Sequence, residues 1–326
     1  MQPLVFEPIL KRIRWGGRRL GSVLGKPIGK HADYAESWEI ADHGDDQSIV
    51  SVGDFLNWTL RQLVENKSHE LFGAERICKQ FPLLIKFLDA HDRLSLQVHP
   101  DDELAVKYDP QENGKTEAWV IIEAEPGSRL YAGLKEGVGR DELDSALQAG
   151  TAEDLLHSFT VTAGDCVFIP AGTVHAIGEG ILLAEIQQMS DITFRLFDWG
   201  RLGSDGEPRE LHIEDGLAAT DFTRGSVSPI SPRTIAEDDG HRLEELVRGE
   251  YFVIHRHTLK NRATASVSPD NRFHVLMVVD GAVTLNCAGE TMTLDRGRTA
   301  LVPAECDGEV QFAAHDGAVV IDSFLP

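Results

Sequence analysis

The chain has 326 residues, of which 42% are hydrophobic and 26% charged, enough for a substantial core in one large or two moderate domains. Its 53 acidic and 31 basic residues give a formal net charge of −22, which disfavours nucleic acid and requires any anionic substrate to meet its own local cations. No window approaches about 18 uninterrupted apolar residues, so no helical membrane span is expected, and "MQPLVFEPILKRIRWGG" lacks the basic-then-apolar pattern of a signal peptide. A cytoplasmic protein is expected.

In chain order, the basic cluster from Lys11 to Arg19 reads as a local surface or an anion-facing loop. Residues 50–74 carry Phe55, Leu56, Leu60, Leu63 and Val64 at helical spacing, with Gly53 or Asp54 as the start and Gly73 as the stop. "FPLLIKFLDA" is an apolar strand interrupted by Lys86, a residue that ordinarily snorkels to water. In "RLSLQVHPDDELA", Leu94, Leu96 and Val98 alternate with Ser95, Gln97 and His99, so a strand turns three polar groups to one side. In "KTEAWVII", Lys115, Glu117 and Trp119 likewise share a face. Residues 140–159 read as two short helices broken at Gly150 and capped again by Thr151.

"GDCVFIPAGTVHAIGEGILLAEIQQ" and "ITFRLFDWG" are strand-like, and "RGSVSPISPRT" beside the acidic "AEDDGHRLEE" is the best linker candidate. Beyond it lies a compact run of strand-like segments. The four cysteines, Cys78, Cys166, Cys287 and Cys306, form no CxxC pair, so a thiolate zinc site is not expected and reduced thiols are. "GDCVFIPAGTVH" and "GRTALVPAECDG" superpose without gaps, which suggests two related β units, with His175 in the first replaced by Gly308 in the second.

The spacing Gly-x5-Pro-x-Gly-x2-His, from Gly164 to His175, resembles the second motif of the cupin superfamily, whose small jelly-roll barrels hold a metal. It departs at Glu179, where many cupins have Asn. On this resemblance Gln97 and His99 take the paired places of the first motif, residues 100–114 are an insertion, and Glu117 is the displaced carboxylate. Two neutral imidazoles, a carboxylate and an amide oxygen suit Zn²⁺ or another borderline divalent ion. The implied fold is mainly β: two cupin-like jelly-roll barrels with inserted helical segments in the N-terminal part. Residues 1–230 would form the catalytic unit and 231–326 a C-terminal barrel without metal ligands.

The ordered set "WGGRRLG", "ESWEI", "QVHPDD", "GKTEAWVII", "FIPAGTVHAI" and "EIQQMSDITFRLFDWGR" is similar to type I mannose-6-phosphate isomerases of the short bacterial form, over roughly residues 5–215. That resemblance implies interconversion of mannose 6-phosphate and fructose 6-phosphate with one Zn²⁺ per chain, other divalent ions being acceptable. It makes Gln97, His99, Glu117 and His175 the metal ligands, Arg195 the active-site arginine and Lys115 the active-site lysine. Moving a proton between C1 and C2 builds an enediolate, whose charge a metal and a guanidinium stabilise. Lys86, Lys115 and Arg195 would supply the cations for the phosphate, and Ser95 a donor to its oxygens. Glu185, with Gln187 on the same face, would line the cavity or carry the proton. Glu185, Lys115 and a metal-bound water all stand as the general base.

Two rival readings share these donors: an Fe(II)-dependent cupin oxygenase and a non-catalytic cupin that binds sugar phosphates. The late segment offers only His274, in "NRFHVLMV", for the paired ligands, and "HRH" at 255–257, two imidazoles at strand spacing, is a rival metal site that lacks a carboxylate-bearing second motif. The expected partner is a phosphorylated hexose, with neither nucleic acid nor membrane, and the chain is expected to be a monomer or weak homodimer.

Overall fold

Strands Leu83–Ala90 and Ile181–Gln188 are buried along their whole length, so they lie at the centre of a sheet covered on both faces. A computed structural model describes residues 1–74, 78–203, 206–267 and 270–326. It places these strands in a six-stranded antiparallel sheet ordered Cys166–Ile169, Glu117–Ala124, Ile181–Gln188, Leu83–Ala90, Tyr34–Ile40 and Ile9–Gly17. A five-stranded sheet is ordered Leu156–Thr160, Arg129–Leu134, His175–Ile177, Leu96–Val98 and Phe194–Phe197. Trp15, Leu88, Leu94, Trp119, Leu130 and Ile177 belong to one apolar cluster that draws on both sheets.

Strand register sets two transverse rows of side chains. Across the six-stranded sheet, Trp38 pairs with Lys86, Lys86 with Glu185, and Glu185 with Trp119. Across the five-stranded sheet, His175 pairs with Gln97 and Gln97 with Arg195. Partners in register point to the same face, so each row is a line of polar groups drawn from separate strands.

The remaining large sheet runs from Arg233–Glu237 through His241–Arg248, Val253–Leu259, Val310–Phe324 and His274–Cys287 to Glu290–Asp295. Thr264–Ser266 and Thr299–Val302 flank its two long strands. Those strands bend where Gly281 and Gly317 meet: a Cβ on Gly281 would lie 2.1 Å from the Gly317 carbonyl oxygen. Both take positive φ, and the bend wraps the sheet around Leu276, Val278, Leu285, Phe312 and Val320.

The sheets are open, so the two cupin-like jelly-roll barrels expected are not present as closed barrels. Closure needs the first and last strands to hydrogen-bond, and they do not. The mainly β class stands. The repeat has a structural counterpart: Gly164 and Gly297 both take positive φ and each precedes a four-residue strand. One apolar core joins the early and late parts, since Phe72, Phe81 and Phe273 pack ring to ring and Phe168 meets Phe252. The Ser/Pro-rich segment follows that junction in extended form, with Val227 and Ile230 N–H donating to Ala132 and Cys166 carbonyls.

One helix begins later, and another ends sooner, than the apolar spacing suggests. Residues 52–57 form bends and turns, with Gly53 and Asn57 at positive φ. The helix starts at Leu60 behind a reciprocal cap between Thr59 and Gln62, breaks at Lys67, resumes over Ser68–Phe72 and stops at Gly73. Arg140–Ala149 ends at left-handed Gly150 as expected. Ala152–Leu155 is a single 3₁₀ turn, Thr151 makes no side-chain cap, and Leu156–Thr160 is a strand. Among the described residues no helix is long and apolar enough to cross a membrane.

Candidate active site

Pro100 ends the 96–98 strand, and its carbonyl accepts from the Lys115 N–H. The intervening excursion is closed at its base and contains the helix Asp102–Tyr108, capped by the Asp101 carboxylate. That closure delivers Lys115 and Glu117 beside His99. His175 arrives from the facing row, just past the turn at Gly172, whose N–H bonds the His99 carbonyl.

His99, Glu117 and His175 each present a donor atom within 4.8 Å of the others, and all three are buried. Both imidazoles give Nδ1–H to a main-chain carbonyl, His99 to Ile192 at 3.0 Å and His175 to Thr173 at 2.9 Å. A carbonyl only accepts, so each ring keeps its Nε2 lone pair, and these face Glu117 at 3.5 and 3.2 Å. Burial, with Lys115 and the other imidazole adding, drives His99 well below its usual pKa; burial takes His175 down to about 4. Both are therefore neutral ligand-type imidazoles. Burial lifts the Glu117 carboxyl to about 7, and neither of its oxygens receives a hydrogen bond.

An orphaned buried carboxylate between two neutral imidazoles is a donor set in want of a cation. The Lys115 ammonium already leans into it, 3.1 Å from His99 Nε2 and 3.2 Å from Glu117 Oε2. The Gln97 amide lies 3.2 Å from His175 Nε2, and a half-turn of that amide exchanges its nitrogen for a carbonyl oxygen. These residues fit a divalent metal.

Gln97 and Lys115 also line a cavity of about 490 Å³, so they stand between the buried triad and solvent. Its walls include Lys11, Arg12, Glu36, Trp38, Lys86, Ser95, Glu185, Asp191, Arg195 and Arg209, with Ile13, Trp15, Leu88, Leu94 and Ile177 as the apolar part. The structure thus brings together Ser95, Lys86, Gln97, Lys115, Glu185 and Arg195. Gln187 is not on this wall; its amide nitrogen donates to the Gln188 and Ser190 carbonyls.

The cavity cations differ in how far they are neutralised. Lys86 lies 3.6 Å from Glu36 and 3.5 Å from Glu185, above the Trp38 ring. Burial alone would lower its pKa, but the two carboxylates raise it, so it stays an ammonium. Trp38 donates to Glu36 and Trp119 to Glu185. Burial opposes the charge on Glu185, yet Lys86, Lys115 and that indole bond hold its carboxyl below the usual value. Arg209 clasps Asp198, Arg12 clasps Asp33, and Lys11 meets Asp46. Arg195 is different. Among the described residues no carboxylate lies within salt-bridge distance of it, its Nη1 donates only to the Glu210 carbonyl, and its buried Nε has no partner.

Sequence reasoning missed Glu36, Trp38, Asp191 and Arg209. Glu36 and Trp38 carried a signal, since i and i+2 in "ESWEI" share a strand face; Arg209, on a loop, carried none. The rival imidazole cluster does meet a carboxylate: Asp322 accepts from His274 at 2.9 Å, and His257 lies 3.8 Å away. Among the described residues these groups do not converge as a metal site does.

Two family models match: the phosphomannose isomerase type I catalytic domain over residues 4–128 and the mannose-6-phosphate isomerase cupin domain over 243–316. The chain is 34% identical over 307 residues to mannose-6-phosphate isomerase ManA of Bacillus subtilis, covering 93% of each. It is 31% identical to the mannose-6-phosphate isomerase of Streptococcus mutans, covering 96% of this chain and 98% of that one. A crystal structure of the mannose 6-phosphate isomerase from Bacillus subtilis superposes with a TM-score of 0.90 over 99% of both chains at 31% identity. On these matches the chain belongs to the type I mannose-6-phosphate isomerase family.

Proposed function

We propose that this chain interconverts mannose 6-phosphate and fructose 6-phosphate with Zn²⁺ held by His99, Glu117, His175 and the Gln97 amide oxygen. The observation that carries the reading is the unneutralised guanidinium of Arg195, standing over the same cavity as Gln97 and Lys115. An acidic chain that leaves one cavity cation without a carboxylate among its described residues has reserved it for an anionic guest.

A divalent ion held by His99, Glu117, His175 and Gln97 would supply Lewis-acid stabilisation of negative charge on the sugar oxygens. The protein's own groups do the rest. Glu185, kept ionised by Lys86 and Trp119, takes the proton from one of the two adjacent carbons and returns it to the other. Lys115 donates to the carbonyl oxygen as the enediolate forms. Arg195 and Ser95 bind the phosphorylated substrate, and Lys86 adds to the positive field without giving up its two carboxylates. The cavity-lining residues fall between 11 and 209, which supports a catalytic role for residues 1–230 and a packing role for 231–326. Phosphorylated sugars do not cross membranes unaided, so the cytoplasm is the setting.

A coupled assay of fructose 6-phosphate conversion tests this. Chelator-treated protein should be inactive, Zn²⁺ should restore it, and Glu117→Ala should neither bind the metal by elemental analysis nor turn over. Sugar-phosphate binding without turnover in the unmutated, metal-loaded protein would overturn the catalytic reading, and oxygen uptake without isomerisation would replace it with the oxygenase.

A further inference from the structure

Two of the four cysteines touch: Cys287 Sγ and Cys306 Sγ lie 3.1 Å apart and are not bonded to each other. Cys287 closes the 274–287 strand and is buried in the apolar cluster of the late sheet. Cys306 sits in the segment joining Thr299–Val302 to Val310–Phe324 and packs against that cluster while keeping part of its surface in solvent.

The contact is held in place from both directions. Ala304 and Glu305 N–H groups donate to the Leu71 and Glu70 carbonyls, at the end of the 68–72 helix. The Met1 ammonium donates to the Glu305 carbonyl at 3.1 Å and to the Asp307 carboxylate at 2.8 Å. Cys306 is thus clamped on each side, while Cys287 is held by its pairing with Glu290 and Val310. Among the described residues no metal-type cluster surrounds them.

The geometry points to Cys287 and Cys306 as a redox-modifiable pair that forms a disulfide, stapling the hairpin end of the late sheet to the clasp that holds Met1 and the 68–72 helix. The oxidant is a low-molecular-weight disulfide. The Cys306 thiolate, the more accessible, attacks it and expels one small thiol. Cys287 then attacks Cys306 Sγ and expels the second. Two protein S–H bonds are lost, one S–S bond forms, and the protons leave on the two small thiols. Burial and the neighbouring thiol push Cys306 up to about 12, so the first step is slow at neutral pH and quickens as pH rises. Neither residue lines the cavity, so the staple acts on stability and leaves turnover alone.

The test uses the full chain incubated with excess oxidised glutathione at alkaline pH, alkylated, and digested without reduction. The expected result is a linked pair of peptides containing Cys287 and Cys306, with two titratable thiols left of the four in the denatured protein. The melting temperature should rise on the order of 5 °C and fall back with reductant. Cys287→Ser and Cys306→Ser should each abolish the link and the rise. Four thiols with an unchanged melting curve, or a glutathione adduct on Cys306 that Cys287 never resolves, would overturn the proposal. Isomerase activity is read in parallel, so a failure here is separable from failure of the functional assignment.

Discussion

Replacing Lys86 with Met keeps the length and packing of the side chain and removes only its charge. Its ammonium lies 3.5 and 3.6 Å from two carboxylates, so at an effective dielectric near 20 each attraction amounts to about 5 kcal/mol. Without it, Glu36 and Glu185 keep their indole donors but lose the cation they share, and the fold can escape by protonating one of them. Holding a proton at pH 7 on a carboxyl whose ordinary value is 4.5 costs about 3.4 kcal/mol, and each further pH unit adds about 1.4 kcal/mol. The variant carboxyl has a folded pKa above its unfolded one, so its folded state binds the extra proton and loses stability as pH rises. Lys86→Met should therefore cost roughly 2 kcal/mol at pH 6, 3–4 at pH 7 and near 5 at pH 8, relative to the parent in the same buffer. Urea unfolding at the three values reads this directly. A loss that stays flat with pH would refute the reasoning, because it would mean that packing, and not the carboxylate pair, depends on Lys86.

Arg195→Ala should lower kcat/KM about 10²–10³-fold with the metal content and melting temperature held, because the side chain engages no carboxylate described in the fold. Arg195→Lys should recover little, since a single ammonium cannot reproduce the planar fork. His274→Gln probes the late sheet. Burial opposes charge on His274, but Asp322 and Asp270 outweigh it and raise the imidazole to about 9. A raised histidine stabilises below its unfolded value and loses that contribution as pH climbs through the folded one, so the variant should cost about 3 kcal/mol near pH 6 and little above pH 9 by denaturant titration.

The metal-type residues were legible in sequence because the signals are short-range. A period of two placed Ser95, Gln97 and His99 on one face, and the turn around Pro170 and Gly172 marked His175. What brings Arg195 to them is the pairing of Gln97 with residues almost a hundred positions later, which no local pattern encodes. Lys86 could be read as cavity-facing, but its two carboxylate partners come from strands 34–40 and 181–188, so its neutralisation was invisible. The helix start placed at Gly53 or Asp54 shows the opposite error. Phe55 and Leu56 suit a helical stripe, yet the positive φ at Gly53 and Asn57 winds the chain into turns, while the cap written in Thr59 and Gln62 marked the true start.

The transverse rows tie folding accuracy to chemistry. In a strand the two faces interchange with every single step, so slipping 83–90 or 96–98 by one residue against its neighbours would swing Lys86, or Gln97 together with Ser95, away from the cavity and put Ile85 or Phe87, or Leu96 or Val98, in the place of Lys86 or Gln97. One deletion inside such a strand disarms several functional groups at once and exposes the oily face in the same stroke. Length changes should therefore be tolerated in excursions such as 100–114, whose feet are pinned, while retuning of the pocket itself is left to point substitutions.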